Sequence, residues 1–315
     1  MSQAREQVED GSGPARGPEG LPLRGALGLS AAALLVGAAA SVGVMGWHLL
    51  AYLRAEEVRG IDFLLGWTWH PGHGGGPAAG VLSLVAGSAL VAAIAVLAAW
   101  PAAVLTAAHL AEFAGPEARR VWTRALGAFS WIPPVGFACF GLAVLGPLIA
   151  WAAPTLAHRN TLAAGLSVGL FVLPAAALGA LSALSGVGVG VRDAGLALGA
   201  TRAEVFRRVV IPACRQRLSG VALLTASRAW GEAVIVTLVA SGRAGLAHRV
   251  QGDELSLAEY VTRSALEMPV ERGPWDHAPY AVAMVMWAIA AGLWLWGGRR
   301  LGLGVGLGLG QGGEP

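Results

Sequence analysis

Val191 to Pro212 reads VRDAGLALGATRAEVFRRVVIP. The segment is too charged to cross a membrane and too patterned to be a plain linker. Arg192, Arg202, Arg207 and Arg208 are interleaved with Leu196, Ala197, Val205 and Phe206, which makes it amphipathic. Gly199 stands in its middle, and glycine alone takes φ > 0 without a Cβ clash. The pattern predicts two short helices with a sharp turn at Gly199. Leu196, Ala197, Val205 and Phe206 are expected to offer an apolar face to a partner groove, with the arginines at its rim. Apolar blocks lie on either side, Thr161–Leu184 before and Leu218–Ser241 after.

The rest of the chain has the same texture. It has 315 residues, of which 55% are apolar and 13% charged, with a mean hydropathy of +0.61. Soluble domains carry about 25% charged residues. This composition excludes an ordinary cytosolic enzyme, a disordered protein and a nucleic-acid binder. The net charge of +3 is spread between apolar blocks rather than gathered in a patch. All 22 basic residues are arginine. A Walker A loop needs a lysine for the phosphates, so ATP binding of that kind is excluded, as is Schiff-base chemistry. Cys139 falls in an apolar block and Cys214 in a basic segment, so no disulfide or metal framework is expected.

Six spans follow from the apolar blocks: Gly25–Leu53, Ala78–Leu110, Leu126–Ala153, Thr161–Leu184, Leu218–Ser241 and Pro279–Gly298. Residues 1–24 read as a disordered tail, since Glu6, Glu9, Asp10 and Glu19 are wrong for a signal peptide. Residues 301–315 read as a Gly-rich flexible tail, leaving 25–300 as one transmembrane domain. With both termini in the cytoplasm, the inner segments carry twice the arginines of the outer ones, which the positive-inside rule favours. The expectation is an all-α, polytopic membrane protein. His70 and His73 make at best half a zinc site, so no metal is expected.

The segment around 191–212 resembles the EAA loop of bacterial ABC importer permeases, whose pattern is EAA, three residues, G, nine residues, I, one residue, LP. Asp193-Ala194-Gly195 stands for EAA, and Gly199 follows after three residues. Ala200 and Thr201 continue the turn, and Val209, Val210, Ile211 and Pro212 fall at the family spacing. The resemblance implies a type I permease fold in a bacterial plasma (inner) membrane. It implies that this loop docks into ATP-binding subunits that hold ATP and Mg, with no cofactor in this chain.

Ser227 to Gly242, SRAWGEAVIVTLVASG, resembles the RAxGETxAVTMVxG segment of PstC-type phosphate permeases. Arg228, Ala229, Gly231, Glu232, Val236, Thr237, Val239 and Gly242 match, while Trp230 and Ala233 depart. Arg228 and Glu232 are four apart, so on a continuous helix they share a face. Charges inside a span mark a pathway or a pair. The resemblance places Arg228, Glu232 and Thr237 on the substrate path, with Arg228 attracting an oxyanion and Glu232 steadying the guanidinium. It also implies the partners: phosphate, a second permease, two ATP-binding subunits and an extracytoplasmic phosphate-binding protein. Trp69-His70-Pro71, Pro101, Glu112 and Ile132-Pro133-Pro134-Val135 extend the likeness, although Pro134 replaces a family serine. Two alternatives stay open: an ABC permease for molybdate, tungstate or sulfate, and a non-ABC membrane transporter.

Overall fold

The structure, a computed structural model, describes residues 20–56, 58–69, 80–240, 256–266 and 274–302. Among these there is no β-strand. The chain divides into two compact units, 1–47 and 48–315. Helix α1 (Gly20–Leu53), whose residues to Trp47 fall in the first unit, begins five positions before the expected Gly25 and exposes Leu34, Leu35 and Val36. Such apolar exposure over a long helix suits a lipid-facing span. Of the tails expected at 1–24 and 301–315, residues 20–24 are the start of α1 and Leu301 ends the last helix, while 1–19 and 303–315 lie outside the described residues.

The second unit holds the remaining helices. After the short helix α2 (Gly60–Leu65), α3 (Leu82–Phe113) continues through Pro101 and ends in a π turn at His109–Phe113. It packs along α6 (Thr161–Ser185), which likewise continues through Pro174. Small residues make this contact close: Ala95, Ala99 and Ala103 on α3 are buried, as are Ala163, Ala164 and Ala180 on α6. A Cβ on Gly165 would come within 2.6 Å of Ile94 Cγ2. Without a hydrophobic drive between helices in lipid, such close backbone packing is what holds spans together. Asn160 Oδ1 accepts from Ala163 N–H at 2.8 Å and starts α6.

Two expected spans are corrected. The block Leu126–Ala153 is not one helix. Residues up to Phe129 belong to an amphipathic helix, α4 (Pro116–Phe129), and the span proper is α5 (Pro134–Ala152). Pro133 and Pro134 cause the break, because neither has an N–H and each forces the preceding residue out of the helical region. The block Leu218–Ser241 is not continuous either. After α7 (Val189–Ala197), helix α8 (Arg202–Trp230) runs from the basic loop into the membrane, and α9 (Val234–Ala240) follows at 59°. Gly231 ends α8, and the Glu232 carboxylate accepts from Ile235 N–H at 3.2 Å, which starts the new helix. Among the described residues five helices are long and apolar enough to cross, or six with this bent pair as one span.

Helix α10 (Leu257–Leu266) is tied to α3 where Ser88 Oγ accepts from Leu257 N–H at 3.0 Å. The last helix, α11 (Ala278–Leu301), crosses α8 at Gly220 and Gly297. A Cβ on either glycine would lie 2.9 Å from the other's carbonyl oxygen, so only glycine permits this crossing.

Candidate functional site

The basic loop forms a helical hairpin. Gly199 carries φ of +83°, as a sharp turn requires. Thr201 opens α8 with a capping box: its Oγ1 accepts from Glu204 N–H, and the Glu204 carboxylate accepts from Thr201 N–H at 2.9 Å. Gly195 lies against Val205, where a Cβ would stand 2.9 Å from Cγ2. That close approach explains glycine in place of the family's alanine. Residues Phe206–Val210 form a π turn just before Pro212. Proline supplies no N–H and its ring crowds the carbonyl four residues back, so the turn widens.

The hairpin's second arm is not short, because α8 carries it unbroken into the membrane. This also redraws its apolar face. Val205 is buried and Phe206 half-buried, both packed on the core beside Leu110, Leu126 and Val210. The large apolar residues left exposed are Val189, Val191, Leu196 and Leu198, with Ala197 exposed beside them. Asp193, Ala194, Thr201 and Pro212 are exposed, while Gly195, Ala200, Val209 and Ile211 are half-buried.

A contact that spacing does not announce fixes the hairpin to the spans. Arg192 Nε donates to Glu112 Oε1 at 3.1 Å, and its other nitrogens donate to the carbonyls of Leu184, at 2.8 Å, and Val187. One guanidinium thus joins the loop, the end of α3 and the end of α6. Both residues are visible in the sequence, but they are 80 positions apart.

The membrane site lies between α6, α8 and α11. A cavity of about 730 Å³ lies there, lined by Val172, Ser182, Arg217, Thr225 and Arg228 among others, with Arg217 nearest the loop. Arg228 is exposed to this space, its Cζ 4.6 Å from the centroid of the Phe171 ring. A cation over an aromatic face is steadied without losing its charge to a carboxylate. The pairing expected with Glu232 is not formed. Helix α8 ends between the two residues, and Glu232 is buried as the cap of α9 while interacting with Arg228 only through space. Thr237 sits on α9 beyond the bend and does not line this cavity.

No family model matches the chain. It is similar to the probable ABC transporter permease protein YqgH of Bacillus subtilis (strain 168), at 30% identity over 220 residues, 69% of this chain and 71% of that one. It is 29% identical to the phosphate transport system permease protein PstC of Mesorhizobium japonicum over 236 residues, covering 69% and 68% of the two chains. It is 26% identical to PstC 1 of Mycobacterium tuberculosis over 225 residues, 61% and 67% of the two. In fold it is similar to a chain of the MetNI methionine ABC transporter in its inward-facing conformations. The TM-score is 0.52 and the identity 16%, over 71% of this chain and 93% of that one. The protein is therefore a multi-pass membrane component of a transporter that works with ATPase and membrane subunits, and its role is transport rather than catalysis. The chain belongs to the PstC-type family of ABC transporter permeases.

Proposed function

We propose that this chain conducts inorganic phosphate into the cell as one of the two permeases of an ATP-driven importer, by alternating access. The observation that carries this reading is Arg228, an exposed guanidinium that makes no ion pair among the described residues, facing a cavity of about 730 Å³ within the spans. A guanidinium offers paired N–H donors in a fork that fits a tetrahedral oxyanion. The names of the Mesorhizobium and Mycobacterium relatives support phosphate as that anion. Both termini are cytoplasmic in this scheme, and the hairpin around 191–212 faces the same side. Two ATP-binding subunits grip it through the exposed Val189, Val191, Leu196 and Leu198. A second permease closes the path, and an extracytoplasmic phosphate-binding protein loads it. Glu232 acts by holding the bend after Arg228, and Thr237 lies further along the path.

Radiolabelled uptake tests this in cells lacking their own phosphate importers, expressing the chain with its partner subunits. Energy-dependent uptake that excess phosphate blocks, and sulfate and molybdate do not, is expected. Uptake suppressed by another oxyanion overturns phosphate as the substrate. No uptake from an inserted protein with no ATPase co-purifying overturns the assembly.

A further inference from the structure

Arg228 is not alone on its wall. Arg217 stands eleven positions earlier on α8, which is close to three whole turns, so both arginines lie on one stripe. Both line the same cavity. At 1.5 Å per residue they are about 16 Å apart, roughly half the hydrocarbon thickness. Between them the wall is mostly apolar, through Val221 and Leu224, with hydroxyls at Thr225 and at Ser182 on α6. An anion released from Arg228 therefore passes a stretch of wall with few polar side chains before it reaches the loop side.

The Arg217 guanidinium has a prepared place at the far end of that stretch. It lies over Gly186, in the volume that a Cβ there would occupy. Gly186 caps the C-terminus of α6, the negative end of its dipole, which favours a cation. No carboxylate lies within ion-pair distance of Arg217 among the described residues. The charge is thus held in position and left unneutralised, as an anion site needs.

We infer that Arg217 is a second oxyanion station at the loop-side end of the cavity, taking a phosphate-class anion from Arg228 and releasing it to the cytoplasm. This rests on the reading of Arg228 as part of the path. The same chemistry is shared by a lipid phosphate headgroup, and the inference commits to the transported anion.

The whole transporter, reconstituted in zwitterionic nanodiscs and in proteoliposomes, provides the test. Radiolabelled inorganic phosphate is the probe, with Arg217→Gln, Arg217→Lys, Gly186→Ala and Arg228→Gln as variants. In ATP-free nanodiscs Arg217→Gln should weaken phosphate binding about tenfold, the loss of one charge-assisted contact. It should lower the maximal uptake rate while leaving the concentration dependence on loaded binding protein unchanged. Arg217→Lys should restore much of both. Gly186→Ala, which displaces only the flexible end of Arg217, should reproduce part of the defect. Unchanged binding and rate in Arg217→Gln, with Arg228→Gln inactive, overturns the second station and spares the path. Normal uptake by Arg228→Gln overturns the path itself. A defect that emerges only with anionic lipid, and that inorganic phosphate does not compete away, assigns Arg217 to a headgroup and overturns the station.

Discussion

Gly199 shows how much one residue decides. Its φ of +83° lies in the left-handed region, which costs any residue with a Cβ about 1–2 kcal/mol and a β-branched one more. Nothing lies within 4 Å of a Cβ built there, so conformation and not space is the constraint. Gly199→Val should leave membrane insertion intact and distort the hairpin. ATP hydrolysis by the assembled complex is expected to persist while phosphate uptake falls severalfold, and unchanged uptake per ATP would remove the turn from coupling. This turn was legible in the sequence, because φ > 0 in a short loop has a residue signature. Arg228 was legible as an intramembrane charge, but its surroundings were not. The spacing to Glu232 assumes an unbroken helix, and the partner under the guanidinium is instead Phe171 on another span. Arg228→Gln removes the charge while keeping the length. It should abolish phosphate uptake with normal assembly, and uptake at the wild-type rate would leave the residue a packing role only.

Among the elements, the breaks carry the information. Pro133-Pro134 is a local signal and marks the start of α5, yet the apolar run across it hides the boundary. Only the last four residues of the amphipathic α4, 126–129, are apolar enough to merge with that run and read as the head of a span. At Gly231–Ala233 the signal is weaker still, because the cap that starts α9 is a carboxylate one residue past a glycine. Arg192 links three elements that sequence distance keeps apart. With 17% and 12% of their side chains exposed, Arg192 and Glu112 form a largely buried pair. Hydrogen bonds to charged groups of this kind contribute about 1.5–3 kcal/mol. Arg192→Gln also frees the carbonyls of Leu184 and Val187, so it should cost more than Glu112→Gln in thermal stability of the purified complex. In a double-mutant cycle the two changes should be strongly non-additive. Additive losses in Tm would show that the pair is not one unit.

At the scale of the whole molecule, α3, α6 and α8 each have one end at the 186–201 hairpin, so membrane orientation reduces to which side holds that hairpin. Alanine and glycine contacts gave the sequence its membrane signature but not its helix pairings, since small residues are abundant on many faces. The Gly220–Gly297 crossing is visible only in three dimensions. Orientation rests on arginine, which the positive-inside rule reads as cytoplasmic. Cysteine labelling tests it directly. The background carries serine at Cys139 and Cys214, and single cysteines replace two exposed residues at opposite ends. Leu198 is 89% exposed at the hairpin, and Leu65 is 65% exposed at the end of α2. A membrane-impermeant maleimide should label Leu65→Cys in intact cells stripped of outer barriers, and Leu198→Cys only in inside-out vesicles. The reverse pattern would invert the protein and leave the hairpin unable to meet a cytoplasmic ATPase. Adding the ATP-binding subunits to inside-out vesicles should then protect Leu198→Cys severalfold while leaving label at Leu65→Cys unchanged. Labelling of Leu198→Cys at the same rate with and without those subunits would remove the exposed apolar face of α7 from the ATPase contact, even with the orientation upheld.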